Sequence, residues 1–272
     1  MRTVLYTPCW NEADMLPFFF NHYDTWVDRY YIHDDGSTDG SLDILHAHPK
    51  VEVRRFERCY PESFVLSHQA FQNETWKESR HDADWMIITA LDEHLHLPQA
   101  SMRDYLEARM ADGTTLIPAI GFQMLADDLP SPENRLCDSR TIGAPYDMMN
   151  KLSIFNPRAV EPNYTVGRHQ AFPDGTVRYP EQDRLMLLHY KYVGFERTIA
   201  RHRAQQTGLR ALDLANKWGF HYSWTPEQLQ QEIDSYAANA IDIGAPGFSL
   251  AETVPPAARW WRAPVEQQAA TD

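Results

Sequence analysis

The chain has 272 residues, of which 43% are hydrophobic and 23% charged, and its net charge is -13 at pH 7. This composition is typical of a globular protein with a substantial core, and the length fits one large domain or one domain with an appendage. The acidic excess argues against nucleic-acid binding, because neutralising a phosphate backbone needs clustered lysine and arginine. It does not exclude a nucleotide, whose charge can be met locally by a metal ion and a few donors.

Cysteine content and hydropathy bear on the compartment. Cys9, Cys59 and Cys137 are too few for a disulfide framework and favour a reducing environment. The N-terminus turns polar too early for a signal peptide, and no apolar stretch is long enough to span a bilayer, so we expect a soluble cytoplasmic protein. Trp260 and Trp261, flanked by arginines, suggest a peripheral contact with a partner or with the inner face of a membrane. Packing against the protein body is the interpretation we favour.

The first third of the chain alternates strand-like and helix-like segments. Short apolar or β-branched runs predict strands at 3–7, 29–33, 51–56 and 85–90. Amphipathic segments between them predict a helix that begins after Asn11 and further helices at 41–46 and 66–79. This order predicts an α/β fold with a mainly parallel sheet flanked by helices.

The remaining elements are less regular. Helix 101–110 and strand 115–125 precede a polar, proline-containing segment at 126–150 that reads as a long loop. A final strand is predicted at 184–192, and three helices follow it, the last of which begins at the capping box of Thr225. We therefore expect a catalytic domain at 1–193, a helical C-terminal extension at 194–245 and a Pro/Ala-rich tail at 246–272.

Four polar clusters fall at or near the ends of predicted strands. They are Cys9 to Glu12, Asp34-Asp35, Asp92-Glu93 and His189. In an open α/β sheet the carboxyl ends of the strands share one edge, so these clusters are expected to converge in one crevice. An acidic pair that follows a hydrophobic strand is costly unless positive charge meets it. We interpret Asp92 as the ligand of a divalent ion that carries a nucleotide diphosphate, although each cluster alone also fits a structural role.

Four motifs together resemble a known family. PCWNEAD at 8–14, DDGSTDGS at 34–41, ADWMIITALDEHL at 83–95 and LLHYKY at 187–192 are similar in order and spacing to glycosyltransferases of the GT-A fold, in the broad family 2 group. The resemblance covers most of the first 220 residues. It implies a nucleotide-sugar donor, most simply a UDP-sugar, and a hydroxyl acceptor on a glycan or glycoconjugate. Bacterial surface polysaccharide synthesis is the context that the family suggests.

The resemblance also implies the residues that bind the nucleoside. In such enzymes an Asp at the end of the second strand reads the base or ribose, which assigns this role to Asp34 or Asp35. Pro8, Cys9 and Glu12 would line the base pocket.

The family's D-x-D motif holds a divalent ion that bridges the two phosphates. Here the motif reads Ala90-Leu91-Asp92, so its first acid is missing, and Asp92 is expected to keep the direct metal contact. His189 matches a late histidine that completes the metal shell in many of these enzymes. A set of oxygen ligands suits Mg²⁺ or Mn²⁺, and one imidazole favours Mn²⁺.

Further positive charge is available for the phosphates. Lys191, Arg168 and His169 are the candidates, and each fits a solvated surface position equally well.

An inverting transfer also needs a base that takes the proton of the acceptor hydroxyl. Asp127 and Asp128 follow the strand at 115–125 and are our first choice, with Asp128 tested first. Two adjacent acids in a partly buried loop can raise each other's pKa. Asp183 and Glu181 are the second choice. A simple capping role for Asp127 and Asp128 fits the sequence as well.

Three other interpretations remain open. If the strand at 85–90 continued, Asp92, His94 and His96 would share a face and could bind zinc. Pro98 argues for an earlier strand end, so we place zinc below the sugar-nucleotide interpretation. A sugar-nucleotide nucleotidyltransferase would use a similar sheet, but PCWNEAD lacks a basic, glycine-rich phosphate loop. A catalytically silent binding module would explain the missing first acid.

Overall fold

The structure is a computed structural model and describes residues 1–98, 100–256 and 259–262. A ten-stranded sheet flanked by helices forms the centre of the protein. The strands are β1 (Thr3–Cys9), β2 (Arg29–Asp34), β3 (Val51–Arg55), β4 (Trp85–Ile88), β5 (Glu93–His96), β6 (Leu116–Ala126), β7 (Ile142–Pro145), β8 (Lys151–Phe155), β9 (Val160–Glu161), β10 (Asp174–Gly175), β11 (Leu185–Val193) and β12 (Ile241–Asp242). The α-helices are α1 (Leu16–Tyr23), α2 (Ser41–Ala47), α3 (Phe64–Glu74), α4 (Met102–Ala111), α5 (Leu136–Ser139), α6 (Phe195–Gly208), α7 (Ala211–Ala215), α8 (Pro226–Ala237) and α9 (Leu250–Thr253).

The main sheet has the order β12-β7-β6-β8-β4-β1-β2-β3, and β11 joins it by pairing with both β6 and β5. The pairings give β1, β2, β3, β4, β6, β11 and β12 one common direction, while β5, β7 and β8 run the opposite way. The predicted α/β class with a mainly parallel sheet flanked by helices is therefore confirmed. β9 and β10 form a separate two-stranded sheet.

The apolar pattern of the N-terminal third explains its elements. In β1, Val4, Leu5 and Tyr6 are buried and continue the core, since parallel strands covered on both faces need hydrophobic runs. The predicted face of α1 is also buried, including Phe19 and Tyr23. Burying one such aromatic side chain stabilises the fold by roughly 1.5–3 kcal/mol, so this helix is fixed by tertiary packing.

The chain reverses earlier than expected after β4. The predicted strand at 85–90 ends at Ile88, a turn follows, and β5 then pairs antiparallel with β11. The Glu93 carboxylate closes this turn, because its Oε2 accepts the Ala90 amide hydrogen at 3.1 Å and contacts the Thr89 hydroxyl at 3.2 Å. Asp92 therefore lies at the corner between two strands.

The segment at 126–150 is more ordered than the predicted loop. It contains β7, α5 and a 3-10 turn at Asp147–Met149. β7 pairs with β6, and its Gly143 lies where a side chain would collide with the Met124 sulfur at 2.6 Å. A glycine at this position permits the close pairing of the two strands.

The C-terminal third contains the predicted helices, but β12 returns to the main sheet beside β7. The proposed boundary at residue 193 therefore does not separate the sheet from the rest of the chain, and the division into domains stays a prediction. Of the predicted tail, residues 257, 258 and 263–272 lie outside the described residues.

The tryptophan pair packs against the protein body, which is the interpretation that the sequence favours. Trp261 is 3% exposed and its indole donates to Asp183 Oδ2 at 3.1 Å, while the Trp260 indole donates to the Asn150 carbonyl at 3.1 Å. Both indoles have an N–H that is best satisfied by an acceptor within the protein, so packing against the body wins over a membrane contact. Within the described ranges, no helix combines the length and apolar character needed to cross a bilayer.

Candidate active site

Asp92 and His189 approach each other at the carboxyl-terminal edge of the sheet. Asp92 Oδ2 lies 3.7 Å from His189 Nε2, and both residues are buried. The ladder between β5 and β11 causes this approach, because His189 is paired with Glu93 and the Tyr190 amide donates to the Asp92 carbonyl at 2.8 Å. The strand pairing thus brings together two residues that are distant in the chain.

Gln123 sets the tautomer of His189. Its Oε1 lies 2.9 Å from His189 Nδ1, and its Nε2 donates to the His189 carbonyl at 3.0 Å. Because an amide oxygen only accepts, Nδ1 carries the hydrogen and Nε2 presents a lone pair toward Asp92. Burial lowers the pKa of His189 to about 4, against the opposing effect of Asp92, so the imidazole is neutral at pH 7.

This pair has the donor chemistry of a cation site. A carboxylate oxygen faces an imidazole lone pair, and two such donors repel one another unless a positive group lies between them. Their 3.7 Å separation is shorter than two metal–ligand bonds of about 2.1 Å each, so one ion can reach both atoms. Asp92 and His189 therefore fit a divalent ion whose other ligands would come from a bound ligand or water.

Arg201 is the residue that the sequence analysis missed. It projects from α6 and donates through Nη1 to Glu12 Oε2, while its Nη2 lies 3.4 Å from Asp92 Oδ2. Burial alone would raise the pKa of Asp92, but Arg201 and then His189 lower it, and the net shift is downward. Arg197 and Arg201, spaced by four residues in a helix directly after β11, were the available signal.

Glu12 lies in the same cluster rather than only beside a base pocket. It is 6% exposed, and burial raises its pKa to about 7 although Arg201 acts in the opposite direction. Glu12 therefore belongs to the charged cluster around Asp92.

Lys191 follows His189 by two residues on β11. Its ammonium lies 5.2 Å from the centre of the Tyr192 ring and 5.8 Å from that of Tyr222. Burial lowers the pKa of Lys191 to about 7, with Asp92 partly offsetting this effect. The ammonium of Lys191, when protonated, therefore adds positive charge to the cluster.

Glu93 has a structural role behind this cluster. Its carboxylate accepts from Lys151 Nζ at 2.6 Å and from Arg168, which also donates to the Ile88 carbonyl. Both cations lower the pKa of Glu93 below its usual range, against the effect of burial. Arg168 is 2% exposed, so the expectation of a surface or phosphate-binding arginine is not met. The three charges together fix the corner that carries Asp92.

The predicted nucleoside residues lie on the same edge of the sheet. β1 separates β2 from β4, so the ends of these two strands are about 10 Å apart. Asp34 accepts the amide hydrogens of Gly36 and Ser37, and Asp35 is held by Arg58 through two hydrogen bonds of 2.9 and 2.7 Å. A cavity of about 650 Å³ is lined by both acids and by Arg58.

Cys9 and Pro8 end β1 between Asp34 and Asp92. Cys9 is 1% exposed, and burial raises the pKa of its thiol to about 12, so the thiol is neutral. The following loop is tied to the DDGSTDGS segment, because the Glu12 amide donates to Ser41 Oγ at 2.9 Å and the Thr38 amide donates to Asn11 Oδ1 at 2.7 Å. The two motifs therefore form one connected structure.

The candidate bases do not share one location. Asp127 and Asp128 lie just beyond β6 on the site's edge, but both are exposed, so the premise of a partly buried loop is wrong. The sheet ends at Ala126 and the chain turns toward solvent, where Asp128 pairs with Arg140 at 2.6 Å. Asp127 forms no ion pair among the described residues.

Asp183 is unsuitable as a base. It precedes β11, six positions before His189, which corresponds to roughly 20 Å along an extended chain. Its side chain is 0% exposed and is bound by Arg259, Arg262 and Trp261. Glu181 lies nearby and is exposed. Asp183 thus lies at the end of β11 that is farther from Asp92 and His189, which makes it unsuitable.

The zinc alternative is not supported. His94 is fully buried in β5, where its ring stacks on His22 with centroids 4.7 Å apart. No group of three or more His, Cys, Asp or Glu side chains that could hold a metal occurs in the described part of the chain. All three cysteines are free.

The sequence matches no protein-family model, and no curated protein is significantly similar to it. Among solved structures, glucosyl-3-phosphoglycerate synthase from Mycobacterium tuberculosis, in complex with Mn²⁺, UDP-glucose and phosphoglyceric acid, is 18% identical over 45% of this chain, with a TM-score of 0.30. The matched region spans 44% of that chain.

Two further structures cover more of the chain. CMP:2-keto-3-deoxy-manno-octonic acid synthetase, complexed with CTP, is 12% identical over 89% of this chain and 88% of its own, with a TM-score of 0.29. HddC from Yersinia pseudotuberculosis is 11% identical over 72% of this chain and 84% of its own, with a TM-score of 0.28. These similarities are too low for a functional argument, which depends on the residues described above.

Proposed function

We propose that the protein is a metal-dependent glycosyltransferase. It moves a sugar from a nucleotide donor, taken here as a UDP-sugar, to a hydroxyl group of a glycan or glycoconjugate, in the bacterial surface polysaccharide synthesis that its family resemblance suggests. The observation that carries the proposal is the 3.7 Å approach of Asp92 Oδ2 to His189 Nε2 at the ligand-binding edge of an α/β sheet.

Asp92 and His189 are the residues that would hold the ion. One carboxylate and one imidazole leave most positions to diphosphate oxygens and water, as is usual for ions that accompany a nucleotide. The imidazole favours Mn²⁺ over Mg²⁺. When bound, the ion supplies Lewis-acid stabilisation of the leaving diphosphate.

The rest of the donor is assigned to neighbouring groups. Lys191 and Arg201 supply positive charge for the diphosphate, while Pro8, Cys9, Glu12, Asp34 and Asp35 face the nucleoside. A protein with a net charge of -13 binds an anion only where cations are concentrated, and the cations beside Asp92 meet this condition.

Transfer also requires removal of a proton from the acceptor. The acceptor oxygen forms a bond to the anomeric carbon, the bond from that carbon to the diphosphate oxygen breaks, and the proton passes to a carboxylate. Asp127 and Asp128 are the proposed bases. Asp127 is the freer of the two, because Arg140 engages Asp128.

Calorimetry with UDP, with and without Mn²⁺, tests the proposal. Wild-type protein should bind UDP with a strong dependence on Mn²⁺, and Asp92→Ala should weaken that binding by about 100-fold. Asp127→Asn and Asp128→Asn are the matched controls, because they should spare UDP affinity while one of them abolishes transfer. UDP binding that is indifferent to Mn²⁺ would contradict the metal assignment.

The competing functions give different results when product formation is measured beside nucleotide binding. Net synthesis of a nucleotide sugar from nucleoside triphosphate and sugar phosphate would identify a nucleotidyltransferase. Nucleotide binding without turnover on any acceptor would identify a binding module. Absence of all nucleotide affinity would refute both enzymatic functions.

A further inference from the structure

Two nitrogen atoms lie near one oxygen of Asp92, and only that of Arg201 carries hydrogens to donate. His189 Nε2 lies 3.7 Å and Arg201 Nη2 lies 3.4 Å from the same Oδ2. Both distances exceed those of good charge-assisted hydrogen bonds. Arg201 is held more closely at its other nitrogen, where Nη1 donates to Glu12 Oε2. The guanidinium is thus held firmly by Glu12 and makes only a weak contact with Asp92.

We propose that Arg201 occupies the cation position on Asp92 in the ligand-free protein and yields it to a divalent ion that arrives with a diphosphate. The inference rests on the proposed function, since it takes Asp92 and His189 as the ligands of the ion. Like charges on one carboxylate oxygen repel strongly in a buried site, and the Asp92 side chain is only 8% exposed. A divalent ion and Arg201 therefore cannot both hold Oδ2.

Glu12 makes this exchange feasible. A buried guanidinium left without a partner is strongly unfavourable, but Arg201 keeps Glu12 when it leaves Asp92. Glu12 comes from the loop after β1 and Arg201 from α6, so their pairing does not depend on the corner that carries Asp92. Arg201 then has one nitrogen released to face the diphosphate.

The exchange makes Arg201 a specificity-determining residue. A bare divalent ion adds two positive charges beside Arg201 and is disfavoured. An ion that carries a diphosphate brings the compensating negative charge with it, and the released guanidinium contacts that charge. The site thereby discriminates against free metal by repulsion and accepts metal with nucleotide.

Binding of Mn²⁺ alone, measured by the electron paramagnetic resonance of the free ion, tests this assignment without nucleotide or turnover. Arg201→Gln should tighten Mn²⁺ binding by at least about tenfold, because a like charge is removed. Arg201→Lys should remain within about threefold of wild type, since it keeps the positive charge. Adding Asp92→Asn to Arg201→Gln should abolish the gain, which locates the ion.

Arg197→Gln is the matched control. Arg197 lies one turn earlier on α6 and pairs with Asp14, with Nη2 3.3 Å from Asp14 Oδ1, rather than with Asp92. Its Mn²⁺ affinity should stay within about twofold of wild type, as expected for a charge outside direct contact. An Arg201→Gln protein with unchanged or weaker Mn²⁺ binding overturns the proposal.

UDP affinity should change in the opposite direction to Mn²⁺ affinity in Arg201→Gln. With Mn²⁺ saturating, Arg201→Gln should bind UDP about tenfold more weakly than wild type, because the released donor is missing. If wild type binds no UDP, the proposed function fails, while the Mn²⁺ measurement still decides the role of Arg201.

Glu12→Gln covers the case in which Arg201→Gln does not fold. This variant removes the negative charge that anchors Arg201, shifts the guanidinium toward Asp92 and should weaken Mn²⁺ binding by at least about threefold. Unchanged Mn²⁺ affinity in Glu12→Gln contradicts the exchange.

Discussion

Two buried aspartates, one in front of β5 and one in front of β11, have very different surroundings. The Asp183 side chain is 0% exposed and receives four hydrogen bonds of 2.6 to 3.1 Å from Arg259, Trp261 and Arg262. Asp92 is similarly buried, yet the nitrogen neighbours of its carboxylate in the described part of the chain lie at 3.4 and 3.7 Å. The carboxylate of Asp183 is therefore saturated by hydrogen bonds from its own chain, whereas that of Asp92 can still accept further bonds.

This difference separates a structural acid from a functional candidate. A saturated carboxylate has no lone pair for a ligand and fixes the segments that bind it, here the residues from Arg259 to Arg262. An undersatisfied buried carboxylate is unfavourable in isolation, and proteins retain such groups where a ligand completes them. The comparison therefore predicts a large loss of stability when the charge of Asp183 is removed and a small one when that of Asp92 is removed.

Asp183→Asn should show the largest effect on stability. It leaves the buried Arg259 without its counter-charge, and breaking a buried pair in this way costs about 3 kcal/mol. Urea unfolding measures the loss directly. Asp92→Asn is the matched variant and should change the free energy of unfolding by no more than about 1 kcal/mol, because it breaks no short hydrogen bond. Equal losses in the two variants would remove the distinction between the two acids.

The sequence could predict the fold and the strand-end clusters because both follow from local patterns. Runs such as Val4 to Tyr6 identify buried strands, and the carboxyl ends of such strands share an edge. This reasoning predicted that Asp92 and His189 would converge, and their separation is 3.7 Å. Their role as metal ligands stays a prediction.

The sequence could not predict partners that come from remote helices or turns. Arg201 reaches Glu12 across 189 residues, and nothing local marks it as different from Arg197. The saturation of Asp183 depends on the C-terminal segment, where the sequence favours packing of Trp260 and Trp261 on the body but does not identify their acceptors. The number of hydrogen bonds that a side chain receives depends on tertiary structure, so the difference between Asp92 and Asp183 is visible only in the folded protein.

Gln123→Leu sharpens the comparison at the imidazole beside Asp92. Without the acceptor at 2.9 Å, the Nδ1 hydrogen of His189 loses its partner and the tautomer is no longer fixed. We expect Mn²⁺-dependent UDP affinity to fall by about tenfold, the lower end of the range for residues that orient metal ligands. Gln123→Glu keeps the acceptor for Nδ1 but loses the donor to the His189 carbonyl, so it should restore part of the affinity. A loss of the same size in both variants would point to disrupted packing instead.

His94 gives the smallest expected effect at pH 7 and tests the structural side of the same corner. Burial lowers the pKa of His94 to about 3, whereas an unfolded histidine has a pKa of about 6.5. Between these values the unfolded state binds more protons than the folded state, so the free energy of unfolding falls as the pH drops from about 6.5 toward 3. His94→Phe keeps the ring that stacks on His22 and removes this contribution. Urea unfolding from pH 7 to pH 4 should therefore show a slope that is shallower by up to about 1 kcal/mol per pH unit, while Mn²⁺-dependent UDP binding at pH 7 stays unchanged. An unaltered slope would mean that His94 is protonated as readily in the folded protein as in the unfolded chain, so that burial does not lower its pKa.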